Sequence, residues 1–205
     1  MKIIIVGAGI AGLSTYLHLR KHLPSQDPQD PRHTIIIYES HPPRSHSSTT
    51  DTNLSDLSSS TAIVGGGLGI SPNGMRVLKT LSCDLYEKVK AQGFVCEKYV
   101  FRTARGHCLA KQPSGDKRAD EEFTVSSSRH GLWMCLREAV DAVETGVVRY
   151  RKVVGMERDD GGEGQCVVKF EDGGSDKADL VIGADGVKSV VKKGVFGEEF
   201  APRYE

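Results

Sequence analysis

The stretch that most constrains this chain runs from Lys2 to His22, KIIIVGAGIAGLSTYLHLRKH. Four β-branched residues, Ile3 to Val6, lead straight into Gly7, Gly9 and Gly12. Leu13 to His22 then reads as helix, with Leu13, Tyr16, Leu17 and Arg20 at three- and four-residue steps. A strand, a glycine turn and a helix in that order can cradle phosphate. Gly7 permits the tight turn, Gly9 (beside Ala8) lets backbone approach a pyrophosphate, and Gly12 lets the helix pack close to the strand. The phosphates would meet the helix N-terminus, where free N–H groups and the macrodipole favour an anion. Glycine turns of this spacing also arise without a ligand; the strand and helix on either side are what point to a dinucleotide.

The next segment extends that unit. Pro24 ends the helix, Pro24 to Arg32 is turn-rich, and His33 to Tyr38 (HTIIIY) reads as a second buried strand, completing a βαβ unit. Glu39 closes the strand, and a carboxylate there accepts hydrogen bonds from a ribose diol and repels a 2′-phosphate. It stands 27 positions after Gly12, beyond the ~20 usual for this fingerprint, and the proline loop accounts for the excess. The competing reading is a solvated strand-end glutamate.

Composition narrows the classes further. At 205 residues the chain fits one large domain or two small ones. Lys+Arg and Asp+Glu are 27 each, so no charge excess points to nucleic acid or an anionic membrane. Cys83, Cys96, Cys108, Cys135 and Cys166 show no metal-ligand spacing and read as reduced, mostly buried thiols without a disulfide or zinc. The apolar run at the N-terminus is too short for a signal-peptide core, and no stretch reaches transmembrane length, so a cytoplasmic location is expected.

Ser40 to Thr61 is rich in Ser and Thr and poor in apolar residues, which predicts a mobile surface insertion, with His41 and His46 solvated and no metal site. Ala62 to Ser71 carries four glycines and reads as a short strand or loop, followed by a helix from Pro72 through Leu81 with Met75, Leu78 and Leu81 on one face. Gly93 to Arg102 and Gly106 to Lys111 read as antiparallel strands, Gln112 to Glu122 as a polar loop, and Phe123 to Ser126 as strand. Ser128 is a plausible N-cap for a helix from Arg129 to Val143, with Leu132, Leu136, Ala139, Val140 and Val143 inward and Gly146 as a stop. Arg129 then opposes the macrodipole in the first turn, a place most comfortable beside an anion, although a solvated arginine fits equally.

Val147 to Glu157, Cys166 to Glu171 and Ala178 to Ile182 read as three further strands, with turn clusters at Asp159 to Gly164 and Asp172 to Lys177. The last strand runs into Gly183-Ala184-Asp185-Gly186 and a short helix from Val187 to Lys193. This is a second ligand-facing turn and not a repeat array.

Four segments, IIIVGAGIAGLS (Ile3 to Ser14), GGGLGISPNGMRVLKTL (Gly65 to Leu81), SRHGLWMCL (Ser128 to Leu136) and ADLVIGADGVKSVVKK (Ala178 to Lys193), resemble in order and spacing the FAD-dependent aromatic hydroxylases, the para-hydroxybenzoate and salicylate hydroxylase class. The last resembles the Asp-Gly fingerprint that separates these enzymes from NAD dehydrogenases. The resemblance implies an α/β Rossmann-like FAD-binding domain over residues 1–205, with a central parallel sheet plus antiparallel strands. Strands about 94–126 would form part of a substrate-side layer. By the same resemblance Gly7, Ala8, Gly9 and Gly12 hold the FAD pyrophosphate, Glu39 the adenosine ribose, and Gly65 and Gly66 approach the flavin end. Arg129 reaches the cofactor, and Asp185 with Gly186 serves FAD binding and NAD(P)H handling. Lys192 stands where the family usually has arginine, keeping the charge but not the bidentate geometry.

Family members run to about twice this length, and their second half carries the flavin-ring contacts and much of the substrate pocket. Nothing here resembles those parts, and no catalytic residue is identified. The implied function is the FAD-binding portion of an NAD(P)H-dependent monooxygenase acting on a small organic substrate, incomplete as given and lacking a C-terminal half or partner chain. The alternative is a non-catalytic dinucleotide-binding remnant.

Overall fold

The computed structural model describes residues 1–24, 33–42, 66–115, 122–158 and 164–197. Residues 43–65, which hold most of the serine- and threonine-rich stretch and Gly65, lie outside the described residues. The elements in chain order are β1 (Lys2–Val6), α1 (Ile10–His22), β2 (Thr34–Glu39), β3 (Gly67–Ile70), α2 (Pro72–Leu81), α3 (Cys83–Ala91), β4 (Phe94–Cys96), β5 (Lys98–Arg102), β6 (Cys108–Pro113), β7 (Thr124–Ser128), α4 (Arg129–Val143), β8 (Val148–Tyr150), β9 (Val153–Arg158), β10 (Cys166–Phe170), β11 (Ser175–Ala178), β12 (Leu180–Gly183) and α5 (Val190–Phe196). They group into two units, one of Met1–Thr52 with Arg137–Glu205 and one of Asn53–Leu136.

The first unit is organised by a four-stranded parallel sheet in the order β12-β1-β2-β8. Ile4 of β1 lies between Val181 and Ile36, and Ile5 between Ile182 and Ile37. Strands buried on both faces read as continuous apolar runs, and β1 and β2 do so. One face, with Ile4, Val6, Ile36 and Tyr38, packs on Val153, Val168, Phe170 and Ala178 of the antiparallel sheet β11-β10-β9. Ile3, Ile5 and Ile37 point the other way and are fully buried, as are Leu13 and Tyr16 of α1, which contacts both strands.

Three expectations are corrected here. Val147 to Glu157 is not one strand. The backbone turns at Arg151, whose N–H donates to Arg149 O at 3.2 Å, so β8 joins the parallel sheet beside β2 and β9 joins the antiparallel one. Asp172 to Lys177 is not only a turn. Gly173, at φ +81°, closes a hairpin whose second strand is the polar β11, and the last strand of the parallel sheet is β12, starting at Leu180. The short final helix is likewise shifted from its expected span, to Val190–Phe196.

β11 also supplies Asp176, which accepts from Lys2 Nζ and from Tyr38 Oη at 2.8 Å. Burial acts to raise this carboxyl, but the hydrogen bonds from Lys2 and Tyr38 outweigh it and hold Asp176 below the ordinary range. Its stabilising contribution is present above the unfolded value of about 4 and is lost as pH falls through the lowered folded value. Asp176→Asn should cost about 2 kcal/mol at pH 7. In urea unfolding, the stability difference between the variant and the parent chain should shrink as pH falls through the lowered folded value.

In the second unit, β3, β7 and β4 form an antiparallel sheet and β5 with β6 an exposed hairpin. The expected helix at Pro72 is present, capped by Ser71 Oγ, which accepts from Gly74 N–H at 3.4 Å. The sequence reading stopped at Leu81 and missed α3. Ser82 caps it, and Leu85, Tyr86 and Val89 bury one face. Tyr86 donates at 2.8 Å to Glu122, which is 5% exposed. Burial, with the Glu122 carboxylate as acceptor, pushes the phenol up to about 12.

Helix α4 begins in the second unit and ends in the first. Leu132, Leu136 and Val140 are buried as expected, but Val143, the last residue of the helix, is 54% exposed. The five cysteines are free, yet none is fully buried: Cys83 opens α3, Cys108 lies on the exposed hairpin, and the others are half-buried. Among the described residues no helix is long and apolar enough to cross a membrane.

Candidate cofactor site

At the end of β1 each glycine of the first turn meets a different constraint. Gly7 has φ +103°, and a Cβ there would stand 2.5 Å from the Ala184 carbonyl oxygen. A Cβ on Gly12 would stand 1.9 Å from Gly7 O, closer than any side-chain contact tolerates. Gly9 is the opposite case, since a Cβ there would have no atom within 4 Å. Two glycines are thus required by packing, and the one between them faces open space. The turn is pinned on either side, by Gly7 N–H to Tyr38 O at 2.8 Å and by Ala184 N–H to Val6 O at 2.8 Å.

Helix α1 starts immediately beyond. Its N-cap is Gly9, without a side-chain cap, and its first turn carries no acidic residue, while Arg20, Lys21 and His22 complement the dipole at the other end. The positive end of the helix is therefore left without an anionic partner from its own first turn. It begins at Ile10, three residues earlier than the apolar pattern suggested, because Gly12 is itself a packing position inside it.

Glu39 ends β2 against this turn. Its Oε2 accepts from Ala8 N–H at 2.7 Å, and its Oε1 accepts from Ser40 Oγ at 2.9 Å and His41 N–H at 3.3 Å. A carboxylate offers about four lone-pair sites, so these bonds orient Glu39 and leave acceptor capacity for a diol. The bond to Ala8 was not legible from the sequence, because it depends on the β1–β2 register.

The second glycine turn follows β12 and touches the first through Ala184. Gly186 has φ +75° and open space at its Cβ position. The Asp185 side chain turns toward its own helix: Oδ1 accepts from Ser189 Oγ at 2.6 Å, and Oδ2 from Val190 N–H at 2.6 Å and Val191 N–H at 3.2 Å. Ser189 was missed by the sequence reading. The signal was its place four residues after Asp185, just before a helical run.

The first unit therefore brings Gly7, Ala8, Gly9, Gly12, Glu39, Asp185 and Gly186 together. In the second unit, Arg129 opens α4 with its side chain exposed, its N–H donates to Gly66 O at 3.1 Å, and Ser128 Oγ caps the helix by accepting from Gly131 N–H at 2.9 Å. Gly65 lies outside the described residues. Among the described residues no group of three or more His, Cys, Asp and Glu stands ready to hold a metal ion.

A parallel sheet with a glycine turn at its C-terminal edge, an uncapped helix N-terminus and a strand-end carboxylate defines a dinucleotide-binding α/β fold. No family model matches the chain. It is 32% identical over 210 residues to 3-amino-4-hydroxybenzoate 2-monooxygenase of Streptomyces cremeus, covering 100% of this chain and 44% of that protein. To the FAD-dependent urate hydroxylase of Mycolicibacterium vanbaalenii it is 25% identical over 210 residues, covering 100% and 44%. The solved structure of Klebsiella pneumoniae HpxO with FAD and uric acid superimposes with a TM-score of 0.63 at 21% identity, covering 94% of this chain and 41% of that one. The relatives and structural neighbours are FAD-dependent hydroxylases and monooxygenases, and this chain shares the α/β fold of the matching part of the structural neighbours. The chain spans about two-fifths of the length of the relatives it matches.

Proposed function

We propose that this chain is the FAD-binding portion of an NAD(P)H-dependent flavoprotein monooxygenase acting on a small organic substrate. The observation that carries the reading is the open position at Gly9, set between two packing-locked glycines at an uncapped helix N-terminus. A pyrophosphate would sit there, held by backbone N–H groups of the turn and the start of α1. Glu39, already oriented toward the turn by Ala8 N–H, would take the adenosine ribose diol. By resemblance, Gly65 and Gly66 would approach the flavin end, Arg129 would reach the cofactor, and Asp185 with Gly186 would serve FAD binding and NAD(P)H handling. When bound, FAD would supply redox and oxygen-transfer chemistry with NAD(P)H as reductant, while the protein's residues bind it, orient it and exclude water.

The substrate class follows from the relatives' names, which describe hydroxylation of small ring compounds. Strands about 94–126 are read as part of a substrate-side layer, with the remaining substrate contacts supplied by polypeptide corresponding to the rest of the relatives' length. A cytoplasmic location is part of the same proposal. Purification tests it: the chain should emerge yellow and release FAD on denaturation. A colourless protein that takes up no added FAD would overturn the reading. The chain alone should oxidise little or no NAD(P)H in response to substrate, and substrate-stimulated NAD(P)H oxidation would contradict its being only a portion of such an enzyme.

A further inference from the structure

We infer that Ser189, acting through Asp185, is a positioning residue for the phosphate-binding turn at Gly7 to Gly12. Its effect on cofactor affinity rests on the FAD reading above; its effect on the turn is a property of the cofactor-free chain. Asp185 lies in the second glycine turn, but its carboxylate accepts from Ser189 Oγ, Val190 N–H and Val191 N–H. Ser189 Oγ in turn accepts from Lys192 N–H at 2.9 Å. Asp185 and Ser189 thus cap α5 reciprocally and fix the backbone just before it. Facing a pyrophosphate directly, the Asp185 carboxylate would meet like charge; spent on its own helix, it holds the chain in place.

What it holds is Ala184. The N–H of this residue donates to Val6 O, and its carbonyl oxygen fills the space that a Cβ on Gly7 would need, 2.5 Å away. Its own Cβ stands 3.4 Å from the Cβ position of Gly12. A Cβ on Gly183 would stand 2.9 Å from Val191 Cβ, so α5 also closes directly onto the end of β12. A continuous set of contacts therefore runs from Ser189 through Asp185 and Ala184 to both packing glycines of the first turn. Gly9, the open position, lies in the turn between those two.

The test compares Ser189→Ala, Ser189→Thr and, as a control, Ser82→Ala, which removes a similar cap from α3 in the second unit. Amide hydrogen exchange over Gly7 to Gly12 is measured in the cofactor-free chain, and affinity by FAD titration. Ser189→Ala should speed exchange in the first turn and weaken FAD binding, each about tenfold. Ser189→Thr, which keeps the hydroxyl, should restore both, and Ser82→Ala should move neither. Unchanged exchange at Gly7 to Gly12 in Ser189→Ala would overturn the inference. So would Asp185→Asn losing FAD affinity while Ser189→Ala keeps it, which would make Asp185 a direct ligand. Faster exchange in Ser189→Ala together with no FAD binding by the parent chain would retain the positioning role and remove the cofactor reading.

Discussion

Alanine at position 12 is expected to destabilise the first unit by about 3 kcal/mol or more, whereas alanine at position 9 should cost about 1 kcal/mol or less. The added methyl is the same in both, and the surroundings decide the difference. At Gly12 the new Cβ would stand 1.9 Å from Gly7 O, a backbone atom of a turn pinned by Gly7 N–H to Tyr38 O and by Ala184 N–H to Val6 O. Relief requires α1 to lift from the sheet, which exposes Leu13, Tyr16 and Leu17. At Gly9 the new Cβ meets no atom within 4 Å, and the backbone, at φ −73° and ψ −176°, is one any residue adopts. Only the difference between glycine and alanine at an N-cap remains. Ligand affinity should not follow stability. Gly9→Ala should weaken FAD or ADP binding about tenfold or more, because its methyl occupies the space a pyrophosphate would enter. Urea unfolding and ADP titration of the two variants separate the effects.

Glu39→Ala is the second large effect, expected to weaken FAD and ADP binding between about tenfold and a hundredfold. Two losses combine. The charged group proposed to accept from the ribose diol is removed, and the Ala8 N–H, which donates to Glu39 Oε2 at 2.7 Å, loses its partner. Glu39→Gln separates them: the amide oxygen can still accept from Ala8 N–H, but the side chain loses its charge and one acceptor. Its affinity should fall between that of the parent chain and that of Glu39→Ala. Removing the charge should also narrow the preference for ADP over its 2′-phosphorylated form, since the carboxylate repels that phosphate. A preference unchanged in both variants would place the ribose elsewhere.

What the sequence made legible was local. Ile3 to Gly12 could be read because a βα turn is specified within ten residues by branched side chains and glycines. Ser128 and α4 could be read because a cap and a 3.6-residue stripe are contiguous. What escaped depended on partners far along the chain. The run Val147 to Glu157 looks like one strand because β-branched residues suit either sheet, and only pairing of β8 with β2 and of β9 with β10 separates the halves. β11 is polar because it is held by the hairpin to β10 and by Asp176 bonding to Lys2 and Tyr38, so composition marked it as turn. The site divides the same way. The glycine turn was legible from its spacing, whereas the Glu39 bond to Ala8 and the commitment of Asp185 to α5 depend on which strands lie side by side. α3 was a different omission, since its cap Ser82 and its buried residues Leu85, Tyr86 and Val89 were all in view.

The first glycine turn is proposed to bind the pyrophosphate and adenosine end of FAD. Calorimetric titration of the 205-residue chain with FAD, ADP and FMN tests it most directly, because ADP carries the pyrophosphate and adenosine without the flavin and FMN carries the flavin without them. FAD and ADP should bind with affinities within about tenfold of each other, and FMN about tenfold or more weaker. No binding of either FAD or ADP, or tighter binding of NAD⁺ than of FAD, would contradict it.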